Sequence, residues 1–564
     1  MKKWVYIVGS VIIAFLIISG IMLSIQLTNK NIQSNEPIGK VEEIQKESNV
    51  QALETEPQVP ETWDLNKVTP VLSEDNIYVP VPKGWSISSS EDERYVNGNV
   101  TKKGSLSSLT FTSSGDYPWT KNDNNIWVSG NKQQPNSISE LISNEIEVGP
   151  NGGWVEVEWS VCSSYTDILY MYVNDTINGT SELIREKSGF FYGKDESTLI
   201  YTKCGKELTQ GRYTISLKYV KDEKDELYLD SGYIKTGTFI NYNETGTEEL
   251  EIHKTGGFVV YEGTQAINNL WTASKTRNQF VWVPVDKPNE TIYERNSTTG
   301  KIKARLWAFT ATQRTPYTGF QTDKDTKAEP GITTGKNDVD RIKNFSKYNL
   351  LGYTKDTFYK ELETEYKKTI ESIEKYGGFY IGRYETGNLS SKIPVVRRMN
   401  YNLYGETWYS MYDKLKNMSS NKNIQTSMIW GSLWDQTIGW IVKTGEKENV
   451  EIYDAKENWG NFLDNEFKYY NDNGELIKTK NMNKSVLLPS GATERNMANN
   501  IYDLYGNVMD RTLQKRTNES TERAGRGGQY INRGYSSTED SYNGRGSISP
   551  ETAAFGCRAF FYIQ

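Results

Sequence analysis

The residues best placed for chemistry cluster in Asn500-Ile-Tyr-Asp503-Leu-Tyr-Gly506-Asn507-Val508-Met-Asp510, followed by Arg526-Gly527-Gly528 and Gly556-Cys557-Arg558. This closing stretch has the turn residues, glycines and aromatics of a well-defined scaffold, without the nucleophiles a catalyst would need. Gly527 and Gly528 suit a backbone turn beside a core, and Arg526 and Arg558 suit buried ion pairs or carbonyl contacts. Between Tyr530 and Glu551 the composition changes to Tyr, Asn, Ser, Arg and Gly. Rigid tyrosines among adaptable polar side chains resemble a recognition face, which makes Tyr530, Arg533, Tyr535, Tyr542, Asn543 and Arg545 the candidate ligand contacts; plain loop packing is the alternative. A single histidine, His253, rules against a multi-histidine metal site and histidine acid–base catalysis. The cysteines are Cys162, Cys204 and Cys557, with no CxxC. Cys162 and Cys204 each end a predicted strand and could pair; equally, all three could be small buried hydrophobes.

The chain that must position these residues has 564 residues, enough for two or three domains. Its net charge is -7 and its mean hydropathy -0.67, so it is mostly polar and mildly acidic. No long basic block is present, which excludes an electrostatic footprint for nucleic acid. Aromatics reach 12%, including 37 Tyr and 15 Trp, and with many Gly and Asn they point to β-structure with elaborate loops.

Met1-Lys-Lys3 precedes an uncharged run from Trp4 to Leu27. As a helix it would measure about 36 Å, enough to span a bilayer. The two lysines favour a cytoplasmic amino end, so residues 1–28 read as a cytoplasmic tip and single-pass anchor in the cell membrane, with the bulk extracellular. A cleaved signal peptide is the alternative, although the run is long and lacks small residues at its exit. Residues 29–75, polar and punctuated by Pro37, Pro57, Pro60 and Pro70, read as a flexible stalk.

Ile77-Tyr-Val-Pro-Val-Pro-Lys-Gly-Trp85 and Gln279-Phe-Val-Trp-Val-Pro284 read as strands of one domain, the first within residues 76–103. An insert at 104–243 separates them. It carries alternating strands at 154–161, 167–174, 198–202 and 212–219, the pattern of a β-sandwich. Ile168-Leu-Tyr-Met-Tyr-Val-Asn174 and Gly211-Arg-Tyr-Thr-Ile-Ser-Leu-Lys-Tyr219 resemble jelly-roll modules of bacterial surface proteins, which implies binding or display. The charged run Lys221–Glu226 could hold Ca²⁺ through oxygens or be a solvated loop.

Residues 244–564 mix elements. A helix is expected over 360–375, with Leu362, Tyr366, Ile370 and Ile373 on one face, then a strand at 379–385 and a buried helix over 426–442. Phe280-Val-Trp-Val-Pro284, Gly377-Gly-Phe-Tyr-Ile-Gly-Arg-Tyr-Glu385, Trp434-Asp435, Gly491-Ala-Thr-Glu494, Asn500–Val508, Arg526-Gly-Gly528 and Gly556-Cys-Arg558 together resemble the formylglycine-generating enzyme, or sulfatase-modifying factor, family. The resemblance implies an α+β fold of C-type lectin type, interrupted by the all-β jelly-roll sandwich and preceded by the transmembrane helix. Members that oxidise sulfatase cysteines use a cysteine pair between the Arg-Gly-Gly turn and the final arginine. Gln529–Gly556 contains no cysteine, so neither copper nor that oxidation is expected. In calcium-binding relatives a turn offers oxygens at spacings matched here by Asp503, Gly506, Val508 and Asp510, which implies a Ca²⁺ site; a metal-free turn capped by Asp503 is the alternative. The expectation is a catalytically inactive, membrane-anchored extracellular binding or adhesion protein for a glycan or protein ligand. The rivals are an enzyme of non-standard chemistry on this scaffold and a structural assembly protein.

Overall fold

The computed structural model describes residues 57–564 apart from 164–166, 189–198, 200, 224–228, 244–245, 247, 255, 296, 300–301, 305, 309–316, 320–354, 389–392, 402–405, 448–451, 453–458, 464, 516–522, 533–545 and 549–554. The expected anchor lies outside these residues. Among the described residues no helix is long and apolar enough to cross a membrane. The described chain is mostly β-sheet with a few helices.

The insert folds as a two-sheet sandwich. One sheet runs Thr202–Leu208, Gly153–Cys162, Ser231–Tyr242, Asn99–Ser108, Glu248–His253, with Thr120–Lys121 and Trp127–Val128 beside it. The other runs Thr180–Ser188, Ile168–Asp175, Gly211–Val220, Ile138–Ser143, Phe111–Ser114, with Ile146–Val148 at its side. Strict alternation makes this possible: Val155, Val157 and Trp159 from the first sheet meet Leu169, Met171, Ile215 and Leu217 from the second in one core. The sandwich is wider than its expected limits of 104–243. Asn99 pairs with His253 and Val100 with Ile252, so the module is entered and left through one antiparallel pair. Those strands (Asn-Val-Thr-Lys-Lys and Glu-Glu-Leu-Glu-Ile) are too polar to announce themselves.

The α+β body holds a six-stranded antiparallel sheet in the order Ile424–Met428, Ala559–Ile563, Gly378–Gly382, Gln279–Pro284, Phe258–Glu262, Trp85–Ile87. Strands before and after the sandwich pair directly, Val260 with Ile87, so the sandwich is a true interruption. Helix Lys355–Tyr376 packs Leu362, Tyr366, Ile370 and Ile373 into the core and ends at Gly377, whose φ of 82° suits glycine. The expected helix over 426–442 is a strand followed by a helix, Gly431–Lys443. Ile424, Thr426 and Met428 pair with Ile563, Phe561 and Ala559, and that sheet contact overrides local helical pattern.

The expected stalk is also shorter than 29–75. Trp63 and Val68 are buried in the body's core, and Val68–Leu72 pairs with Tyr78–Pro82. Thr62 Oγ1 donates to Lys375 O at 3.0 Å, and Trp63 packs on Tyr376. Of the prolines that suggested a stalk, Pro70 is a strand proline here, opposite Pro80, while Pro37 lies outside the described residues.

Candidate functional site

The closing stretch builds a buried polar knot. Asn500, Asp503, Gly506 and Asn507 all adopt positive φ, between 53° and 72°, which Asn, Asp and Gly tolerate best. The winding chain aims its polar groups inward. Asp503 accepts from Ser490 Oγ at 3.0 Å, Gly491 N at 2.7 Å and Asn496 Nδ2 at 2.8 Å. Arg558 donates to Asp510 Oδ2 at 3.0 Å and to the carbonyls of Gly382, Tyr502 and Asp503 at 2.9 to 3.0 Å. Arg526 pairs with Asp435 at 2.5 Å and lies over the Trp434 ring. Both arginines therefore do the structural work expected of them.

Glu385 stands at the centre of the knot, and sequence reasoning gave it no role. It accepts from Asn507 Nδ2 at 2.7 Å and from Val508 N at 3.0 Å. Burial, with Asp503 and Asp510 close by, pushes its carboxyl well above the usual carboxylate range. Asp503 and Asp510 are raised too, burial again being the first cause. Of the expected calcium ligands, Asp503 accepts from protein donors through both carboxyl oxygens and Asp510 through Oδ2. Among the described residues no group of three or more His, Cys, Asp or Glu is placed to hold a metal. Cys557 is fully buried, and burial pushes its thiol far up, away from the reactive thiolate.

A cleft of about 860 Å³ opens where the sandwich meets the body. Trp154, Glu156 and Glu158 from strand Gly153–Cys162 form its floor with Lys203–Glu207; Glu182–Arg185 form one side; Asp92, Lys254, Gly445 and Glu446 close it from the body. The Trp154 indole packs against Gly205, where a Cβ would come within 2.4 Å of the ring. It also packs on Ile240 and Tyr242, and its buried Nε1 has no protein hydrogen-bond partner. The cleft's charges are largely matched: Lys203 pairs with Glu156 at 2.7 Å, Lys206 with Glu182, and Lys254 with Glu207 at 2.7 Å. Lys254 also holds Glu91 at 3.0 Å. Burial alone would lower its ammonium; hydrogen bonds to Glu207 and Glu91 outweigh that and hold it above the usual lysine range.

The closing stretch braces the body side of this cleft. Asn500 Nδ2 donates to Asp92 O at 2.7 Å and Gly257 O at 2.8 Å. Asn499 Nδ2 donates to Thr444 Oγ1 at 3.0 Å, beside Gly445 and Glu446.

No protein-family model and no curated protein matches this chain. Solved structures with partial likeness include the K1 cleaved adhesin domain of Lys-gingipain from Porphyromonas gingivalis, at 11% identity and TM-score 0.18, covering 26% of this chain and 98% of that domain. The carboxy-terminal family 6 carbohydrate-binding module of a laminarinase from Zobellia galactanivorans shares 11% identity at TM-score 0.17, covering 25% and 99%. The secreted serine protease VesC from Vibrio cholerae shares 12% identity at TM-score 0.19, covering 30% of each chain. At such scores these likenesses carry no argument about what this chain does.

Of the expected ligand face, Tyr530 is half-buried and its N–H donates to Asn507 O at 2.9 Å. Arg533, Tyr535, Tyr542, Asn543 and Arg545 lie outside the described residues. The Cys162–Cys204 pairing fails on register. Cys204 stands opposite Val157, five residues before Cys162. At about 3.3 Å per residue that offset is roughly 17 Å, far beyond the ~7 Å a disulfide allows. The run Lys221–Glu226 is only partly described; its first residue, Lys221, is buried against Asp230 rather than solvated.

Proposed function

We propose that this chain is a membrane-anchored extracellular binding protein whose cleft, between sandwich and body, takes a neutral, polyhydroxylated ligand of glycan type. The observation that carries this reading is the half-buried Trp154 indole that lines the cleft beside Gly205. An aromatic face accepts the apolar C–H face of a sugar ring, and the surrounding side chains offer donors and acceptors for hydroxyls. The pairing of lysines with carboxylates favours an uncharged ligand, because a matched rim has little net field to draw an ion in. Six carboxylates against four cations in the lining speak against nucleic acid.

In this reading the α+β body is a C-type-lectin-like domain of the sulfatase-modifying kind, no longer catalytic, that positions the sandwich. The missing cysteine pair and the inert, buried Cys557 support that role. A glycan array with the full-length protein tests the proposal. Wild type should bind a defined glycan set, and Trp154→Ala should lose at least tenfold in affinity while Tyr530→Ala keeps it. An array blank for wild type would refute the glycan reading; loss with Tyr530→Ala alone would move the site to the closing face.

A further inference from the structure

At the end of the sandwich away from chain entry, a small cluster of ionisable groups is sealed from water. Lys221 follows strand Gly211–Val220 of one sheet, and Asp230 precedes strand Ser231–Tyr242 of the other. Their side chains are in contact, and both are 0% exposed. Asp230 Oδ2 also accepts from Gln133 N at 2.8 Å, and Asp230 Oδ1 meets Ser163 Oγ at 2.7 Å. The same Ser163 hydroxyl contacts Asp167 Oδ2, and the Asp222 N–H holds Asp167 Oδ1 at 2.9 Å. Tyr219, fully buried, lies beside Asp167. Asp230 and Gln133 both sit at positive φ, 51° and 55°. Such strain persists where the surroundings over-determine it, often at sites with a task.

Proton counting narrows the state of this cluster. A hydroxyl has one proton to donate, yet Ser163 is bonded to two carboxyl groups. One of those carboxyls must therefore donate to it. Burial raises Asp167 above the usual carboxylate range, so the shared proton belongs there. The cluster is then neutral: an ammonium, a carboxylate and a carboxylic acid.

We propose that Lys221 and Asp230 condense in the folded sandwich to an intramolecular amide that ties its two sheets together. A proton passes from Nζ to Oδ2 within the contact pair, giving amine and acid. The Nζ lone pair attacks Cγ, and the negative charge that grows on Oδ1 is met by a proton that Asp167 delivers through Ser163. The surplus proton on nitrogen passes to Oδ2, which also accepts from the Gln133 N–H. The Cγ–Oδ2 bond breaks, that oxygen leaves as water, and the Oδ1 proton returns through Ser163 to Asp167. Amine and carboxylic acid become amide and water, with no oxidant or reductant. Condensation is unfavourable between free groups in water. Here the two are held in contact in a dry site, where effective molarities reach ~10⁵ M or more.

Peptide mapping of the full-length protein decides the matter. Trypsin should fail to cut after Lys221. The fragments Tyr219–Lys224 and Asp225–Lys235 should remain joined under denaturing, reducing conditions, with the mass of one water missing. Asp230→Ala should restore separate peptides, and Asp167→Asn should leave a mixture that converts slowly. Wild-type protein, folded and aged, that yields separate peptides of unmodified mass would overturn the proposal and leave an ion pair only. That readout needs no variant to fold.

Discussion

Arg558 shows how little the knot can spare. Its guanidinium holds one carboxylate and three carbonyls, all buried. Arg558→Met leaves Asp510 without its charge partner, which should cost about 3–5 kcal/mol in denaturant unfolding. Gly527→Ala fails for a different reason. The residue sits at φ 93°, and a Cβ would lie 2.5 Å from Leu504 O, so strain alone should cost about 1–3 kcal/mol. Glu385 gives the pH dependence. Its folded carboxyl binds a proton more tightly than the unfolded one, so its contribution is complete below the unfolded value of 4.5 and is lost as pH rises toward the folded value. Melting profiles from pH 4 upward should fall less steeply for Glu385→Gln than for wild type. The turn at Gly527 and the buried contacts of Arg558 were readable in sequence; the role of Glu385 was not. Glu385 meets Asn507 across 122 residues, and a motif that ends in Glu does not say which carboxyl carries the proton.

Among elements, those with a strong local period were legible and those defined by distant partners were not. Helix Lys355–Tyr376 was visible in the spacing of Leu362, Tyr366, Ile370 and Ile373. Strand Thr180–Ser188, Thr-Ser-Glu-Leu-Ile-Arg-Glu-Lys-Ser, was not, because an edge strand facing a cleft needs few apolar residues. The cleft itself draws on segments near residues 92, 154, 182, 203, 254 and 445, and no window contains it. The strand Val68–Leu72 carries the most practical correction. A fragment beginning at residue 76 loses Trp63 and Val68 from the core. Burial of two such side chains stabilises by roughly 3–6 kcal/mol, so this fragment should melt well below one beginning at residue 57.

For the whole molecule, the question is what fixes the sandwich on the body. Two short chain passages connect them, and Lys254 stands at one, bound to Glu91 and Glu207. Glu91 opens a turn whose Glu93 pairs with Arg383 of the body at 2.6 Å. Farther along the seam Arg495 lies 3.6 Å from Glu186. Lys254→Met should loosen the seam without unfolding either part. Hydrogen exchange at 97–100 and 251–257 should quicken while the melting temperature holds within a few degrees; unchanged exchange would mean the seam is held elsewhere.

Strand Ala559–Ile563 lies inside the body's sheet, between Ile424–Met428 and Gly378–Gly382. About 310 residues separate it from His253, where the sandwich is complete. At roughly 5–20 residues per second, synthesis takes about 15–60 s to cover that distance. Through that interval a finished module sits in the middle of an unfinished one, whose two halves face each other across a missing strand. A newly made chain thus offers two open sheet edges until Ala559–Ile563 has been made, and that is when a chaperone would find it.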